Sequence, residues 1–248
     1  MMNIALSLSY IGTAYHGWQA QKNALSVSAA VSSAIEQCTG SPAALIGCGR
    51  TDAGVHAIRY VANFRTESKI PVQKLPYALN TFLPPDIAVL AARAVPETFH
   101  AAYSAVKKEY TYLLYSSPHR RPCFHLRALH YPRPLREDVI ASAARGFAGT
   151  HDFACVRCAG SNVRGSVREI YDIEFAPRGE LYTLRVSANG FLYNMVRNIM
   201  GTLLYVSEGK ITDIPALIAS RNRAAAGPTV PPHGLYMTGV TYAEGELF

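Results

Sequence analysis

The segment Gly47-Cys48-Gly49-Arg50-Thr51-Asp52-Ala53-Gly54-Val55-His56-Ala57 concentrates the groups best suited to chemistry in this 248-residue chain. Three glycines bracket one acid, Asp52, and one base, His56, so the backbone can turn tightly and approach a ligand. A carboxylate in such a turn, beside Arg50, is held in its charged form, which a nucleophile or general base requires. The same spacing also suits a plain turn closed by an aspartate side chain on the backbone, the commoner use of an isolated Asp-x-Gly.

Other candidates are weaker when taken alone. Cys155-Val156-Arg157-Cys158 has metal-knuckle spacing, but a closed zinc site needs two more ligands. No second pair of that kind exists, although His151 could be recruited. The five cysteines are an odd number, and nothing in the sequence suggests secretion, so they read as reduced thiols. Arg197 lies among Met195, Val196, Ile199 and Met200, where an unpaired charge is costly. Its spacing fits an inward or a solvent-facing guanidinium equally well. Tyr110 suits an inward strand aromatic or a group that stacks on a base.

Strands and helices must position these groups. Residues 3–10 alternate as a strand, and Val27, Ala30, Val31, Ala34, Ile35 and Cys38 fall at helical spacing after a capping Ser26. Short strands over 44–48 and 58–65 flank the glycine-rich turn, and Ile87 to Val95 reads as another. In the second half, Glu109 to Tyr115 is a β-rich run, and a helix is predicted around Asp138 to Phe147. Val167 to Phe175 and Leu181 to Ser187 read as a hairpin. Met195, Val196, Ile199, Met200, Leu203 and Leu204 give the clearest helical stripe. Pro215 suits the first turn of a short helix, and Leu235 to Tyr242 reads as a last strand. Helices and strands mix without βαβ alternation, which predicts an α+β fold with mainly antiparallel sheet, split into residues 1–105 and 106–248.

Composition narrows the classes. No apolar run reaches the roughly 20 residues of a membrane helix, and the N-terminus lacks a secretory pattern, so a soluble cytoplasmic protein is expected. The formal charge of +7 favours a polyanionic partner. From His119 to Arg136 there are five Arg and three His and no acid, and Arg157, Arg164 and Arg168 follow in a second acid-free stretch. Arginine suits phosphate contacts and base stacking.

The string Gly49-Arg50-Thr51-Asp52-Ala53-Gly54-Val55-His56 resembles the signature of the tRNA pseudouridine synthase A family. Five further blocks follow the family's order along nearly the whole chain. They are Tyr10-Ile11-Gly12-Thr13 with Tyr15-His16-Gly17-Trp18-Gln19, Lys108-Glu109-Tyr110-Thr111-Tyr112, Gly149-Thr150-His151-Asp152-Phe153, Asn194-Met195-Val196-Arg197-Asn198-Ile199, and Ala226-Gly227-Pro228-Thr229 with Gly234-Leu235-Tyr236.

The resemblance implies two ferredoxin-like or RRM-like halves with an active-site cleft between them. It implies isomerisation of uridine to pseudouridine at positions 38, 39 and 40 of the tRNA anticodon stem-loop, by a homodimer needing neither cofactor nor metal. Asp52 corresponds to the essential aspartate, Arg197 to the arginine paired with it, and Tyr110 to the tyrosine against the target base. Arg50 corresponds to the arginine that helps extrude the nucleotide, and Leu235 to the apolar contact under the uracil. His56 receives no proton-transfer role. The chain departs from the pattern at Ile11, Ala102 and Val156, which bears on RNA contacts more than on chemistry. Competing readings are a non-catalytic RNA-binding module, a metal hydrolase using Asp52, His56 and the cysteine pair, and the same chemistry on other RNA sites.

Overall fold

A computed structural model describes residues 1–21, 23–160, 165–243 and 245–248, so Arg164 of the second basic stretch lies outside the described residues. The chain forms two compact units, Met1–Val106 with Met237–Phe248, and Lys107–Tyr236.

The first unit begins with β1 (Met2–Tyr10) and α1 (Val27–Thr39), followed by β2 (Ile46–Gly47), β3 (His56–Thr66), α2 (Leu75–Asn80) and β4 (Ile87–Val95). Ser26 caps α1 by accepting a hydrogen bond from the Ala29 N–H. β1 lies antiparallel between β3 and β4, pairing Ile4 with Phe64 on one side and with Ala94 on the other. Ile4, Leu6, Leu8, Phe64, Val31 and Ile35 are all buried in the core this arrangement makes.

The second unit contains β5 (Ala105–Ser116) from Lys107 onward, β6 (Leu129–Tyr131), α3 (Glu137–Arg145), β7 (Gly149–Asp152), β8 (Val167–Arg178), β9 (Leu181–Ala188), α4 (Met195–Ser207) and α5 (Ile214–Ser220). Its strand order is β5-β9-β8-β7, with β6 parallel to β5. α4 is the most buried helix, and its apolar stripe includes Ile199, Met200 and Leu203. β8 and β9 form the expected hairpin, with Phe175 opposite Leu184.

The last strand, β10 (Leu235–Tyr242), begins in the second unit, and from Met237 onward the chain belongs to the first. The division at 105/106 expected from the sequence puts the whole C-terminal segment in the second half. Its return is held by a 3.8 Å contact from the Cys48 thiol to Met237 Sδ and by the Tyr242 hydroxyl donating to the Ala101 carbonyl at 3.0 Å. The result is α+β with a mixed, mainly antiparallel sheet, as expected. Among the described residues no helix is long and apolar enough to cross a membrane.

Candidate active site

The Asp52 turn is stitched to the segment that follows β1. The Trp18 N–H donates to the Thr51 carbonyl at 3.2 Å, and the Gly54 N–H donates to the Tyr15 carbonyl at 3.2 Å. The turn closes on itself where the Val55 N–H donates to the Asp52 carbonyl at 3.1 Å. On its inner side the Tyr10 hydroxyl lies 3.0 Å from Thr51 Oγ1. The Trp18 and Tyr60 rings stack at 4.1 Å, and the Tyr60 hydroxyl donates to the Gly49 carbonyl. Tyr15 in turn donates to Asp86 Oδ1 at 2.6 Å; burial foremost, and then the carboxylate, push its pKa up.

Gly17 shows how closely these strands of chain approach. Its φ is +85°, and a Cβ there would sit 2.2 Å from the Thr51 carbonyl oxygen. Only glycine fits both demands. The turn therefore presents its residues in a fixed order: Thr51 is buried, Asp52 is half-buried, and Arg50 and Ala53 are exposed. Arg50 and Asp52 share one rigid bend, which links two sequence blocks that looked separate.

The other three expected residues lie in the second unit. Tyr110, on β5 opposite Val186, is buried edge-on against Phe191 at 5.0 Å. Leu235 is buried at the start of β10. Arg197 sits in the first turn of α4 and is half-buried. Its Nε–H donates to the Val230 carbonyl at 2.8 Å, and its Nη1 donates to Asn194 Oδ1 at 2.5 Å. Its charge also acts on Tyr112, whose pKa is pushed up by burial and only partly brought back by the guanidinium. Of the two orientations the spacing allowed, the arginine is turned in against the 230–231 segment.

A polar cluster that went unread in the sequence holds that segment. Asn198, fully buried on α4, donates to the Val156 carbonyl at 2.8 Å and to Cys158 Sγ at 3.4 Å. Its Oδ1 accepts from Arg223 Nη2 at 2.9 Å and from Thr229 Oγ1 at 2.6 Å. A Cβ on Gly201 would meet the Pro228 carbonyl oxygen at 1.8 Å, so α4 and the Ala226–Thr229 block touch backbone to backbone. The available signal was an Asn and a Thr, at 198 and 202, on the apolar face of a helix, since buried amides need partners.

Burial raises the Cys158 pKa, but hydrogen bonds from Asn198, Asn194, Thr229 and Arg223 outweigh it and bring the thiol down to about 7. Cys155 is fully buried, and burial raises its pKa. Among the described residues no group of three or more His, Cys, Asp or Glu is placed to hold a metal ion.

Residues 7–104 and 143–243 match a family model described as tRNA pseudouridine synthase. The chain is 45% identical over 245 residues to the tRNA pseudouridine synthase A of Ruminiclostridium cellulolyticum, covering 98% of this chain and all of that protein. It is 43% identical over 244 residues to the protein of the same description from Thermoanaerobacter pseudethanolicus, again covering 98% and 100%. Among solved structures, a Cbf5-Nop10-Gar1 complex matches with a TM-score of 0.40 and 15% identity, over 94% of this chain and 48% of that one.

Proposed function

This chain belongs to the tRNA pseudouridine synthase family, and on that premise we propose that it isomerises uridines at positions 38, 39 and 40 of the tRNA anticodon stem-loop, with Asp52 as the catalytic carboxylate. Family membership makes it an isomerase that converts uridine to pseudouridine in tRNA.

The observation that carries it is the rigid bend. Asp52 is half-buried in a turn tied by backbone hydrogen bonds to the Tyr15–Trp18 segment, with Arg50 exposed two residues away. Such a carboxylate is preorganised, so little freedom is lost when a substrate meets it. Asp52 attacks the target nucleotide or assists loss of its uracil; the base turns and rejoins the ribose through C5. One C–N bond is exchanged for one C–C bond, and any bond formed by the Asp52 carboxylate breaks as C5 joins the ribose. The C5 hydrogen leaves as a proton, and the freed N1 takes up a proton. Electrons balance without an oxidant.

Arg197 serves as the cationic counterpart of that carboxylate, Tyr110 stacks on the base or handles its proton, and Leu235 gives the ring an apolar contact. Arg50 acts earlier. A stacked uridine must leave the helix at a cost of about a few kcal/mol, which a guanidinium offsets by stacking and phosphate contacts. A cytoplasmic homodimer completes the proposal.

The test is tritium release from tRNA transcripts carrying C5-labelled uridine. Wild type is expected to release label without added metal, and Asp52→Asn to bind tRNA and release none. Equal release by the two proteins refutes the role of Asp52. Mapping pseudouridine in the product decides the positions.

A further inference from the structure

A guanidinium stays charged at any working pH, so the protein controls Arg197 by controlling where its plane points. Among its acceptors are the Val230 carbonyl at Nε and Asn194 Oδ1 at Nη1. Bonds at both nitrogens fix the plane and its rotation, which one bond does not. The Val230 carbonyl is main chain, in a segment whose neighbour Gly227 accepts from Arg223 Nη1 at 2.8 Å. The acceptor at Nη1 depends on which side chain occupies position 194.

That position is unusual. Asn194 is the N-cap of α4, where an asparagine ordinarily accepts from an N–H of the first turn, yet its side chain makes no capping bond. Its oxygen is given to Arg197 instead, and its side chain also hydrogen-bonds the Cys158 thiol. The backbone is left-handed there, with φ 61° and ψ 10°. Glycine adopts that conformation most easily; Asn, Asp and His are the side chains that tolerate it best. The side chain therefore does something that glycine cannot.

We propose that Asn194 is a positioning residue for the reaction: its amide oxygen sets the orientation of Arg197, and its backbone conformation places that oxygen at the mouth of α4. The proposal rests on the catalytic reading of Arg197 given above.

Three variants test it in the tritium-release assay. Asn194→Gly relaxes the backbone and removes the amide. It is expected to lose kcat by on the order of 10- to 100-fold, with KM for tRNA within about 2-fold and thermal stability undiminished. Asn194→His places Nδ1 where Oδ1 stood. A neutral imidazole accepts from Arg197, whereas an imidazolium does not and repels it. Its kcat relative to wild type is expected to be high near about pH 8 and to fall below about pH 6.5. Wild-type kcat in Asn194→Gly overturns the proposal, and so does a pH-independent ratio in Asn194→His. Arg197→Ala is run alongside. If it keeps wild-type kcat, the catalytic reading of Arg197 falls; if it is inactive while Asn194→Gly is fully active, only the role of Asn194 falls.

Discussion

The Gly12 N–H donates to Nδ1 of His56 at 2.9 Å, so the buried imidazole is the acceptor that joins the end of β1 to the start of β3. His56 is fully buried, and this bond ties the chain just after the Asp52 turn to the segment that follows β1. His56→Ala leaves the Gly12 N–H without that acceptor and opens a void. It is expected to destabilise the protein by about 2–4 kcal/mol and to lower activity with it. His56→Asn puts an amide oxygen near the Nδ1 position and should recover part of both. Denaturant unfolding and tritium release measure the pair; an alanine variant as stable as wild type would contradict this role.

Gly17 gives a sharper test of the bend, because the atom its Cβ would strike is backbone and cannot swing aside. With φ at +85° and the Thr51 oxygen 2.2 Å from the added carbon, Gly17→Ala must displace the residue preceding Asp52. With Asp52 as the proposed catalytic carboxylate, a displacement of about 1 Å there costs roughly 100-fold in rate. The expected result is a loss of that order in kcat, with stability down by about 1–3 kcal/mol. A variant that unfolds at the wild-type temperature and turns over normally would show that the turn is not held as described.

What the sequence disclosed follows from how far each signal extends along the chain. α4 was legible because Met195, Ile199, Met200 and Leu203 repeat over three turns, and α1 because Ser26 sits just before its stripe. α2 was not, since Leu75 and Leu79 are its only buried residues and Pro76 interrupts the pattern. β7 is a polar Gly-Thr-His-Asp stretch with no alternation to find, although the same residues make up most of one family-like block. The return of Met237–Phe248 to the first unit depends on contacts far apart in sequence, which no local window carries. At the candidate site, the family resemblance singled out Asp52 and Arg197, which residue type and spacing alone left open, while the contacts of Asn194, Asn198 and Arg223 came only from the hydrogen bonds that reach them.

Glu208 stands at the C-terminal end of α4, where the helix dipole disfavours an acid. Cationic and hydroxyl partners reverse that. Hydrogen bonds from Lys210 and then Tyr131, outweighing burial and joined by the charges of Arg133 and Lys210, bring its pKa from the ordinary 4.5 to about 2. The folded value lies below the unfolded one, so the stabilisation is fully present above about pH 5 and is lost as pH falls towards 2. Because Arg133 and Lys210 are mostly exposed, solvent screening leaves on the order of 1 kcal/mol. Glu208→Gln should therefore be less stable than wild type near about pH 7 by that amount, and the gap should close as acid is added. A gap that stays constant down to about pH 2 rules the linkage out.

The basic stretch from His119 to Arg136 looked uniform in the sequence, and the structure divides it. Arg136 donates from Nε to the Ser207 carbonyl and from Nη2 to the Val206 carbonyl, both at 2.6 Å, and so satisfies the end of α4. Arg133 pairs with Glu208, and Arg121 with Glu180. Arg120 is exposed and makes no hydrogen bond or ion pair among the described residues. A phosphate contact from Arg120 gives up nothing inside the protein, whereas one from Arg136 would strip a helix end. Arg120→Ala is thus expected to weaken tRNA binding and to lower the slope of log affinity against log salt by about 1, with unfolding unchanged. Arg136→Ala should do the opposite, costing about 1–2 kcal/mol of stability while leaving the salt slope alone. Filter binding across a salt series, with thermal melts of the same samples, separates the two; an exchange of these effects would mean that the phosphate contact belongs to Arg136.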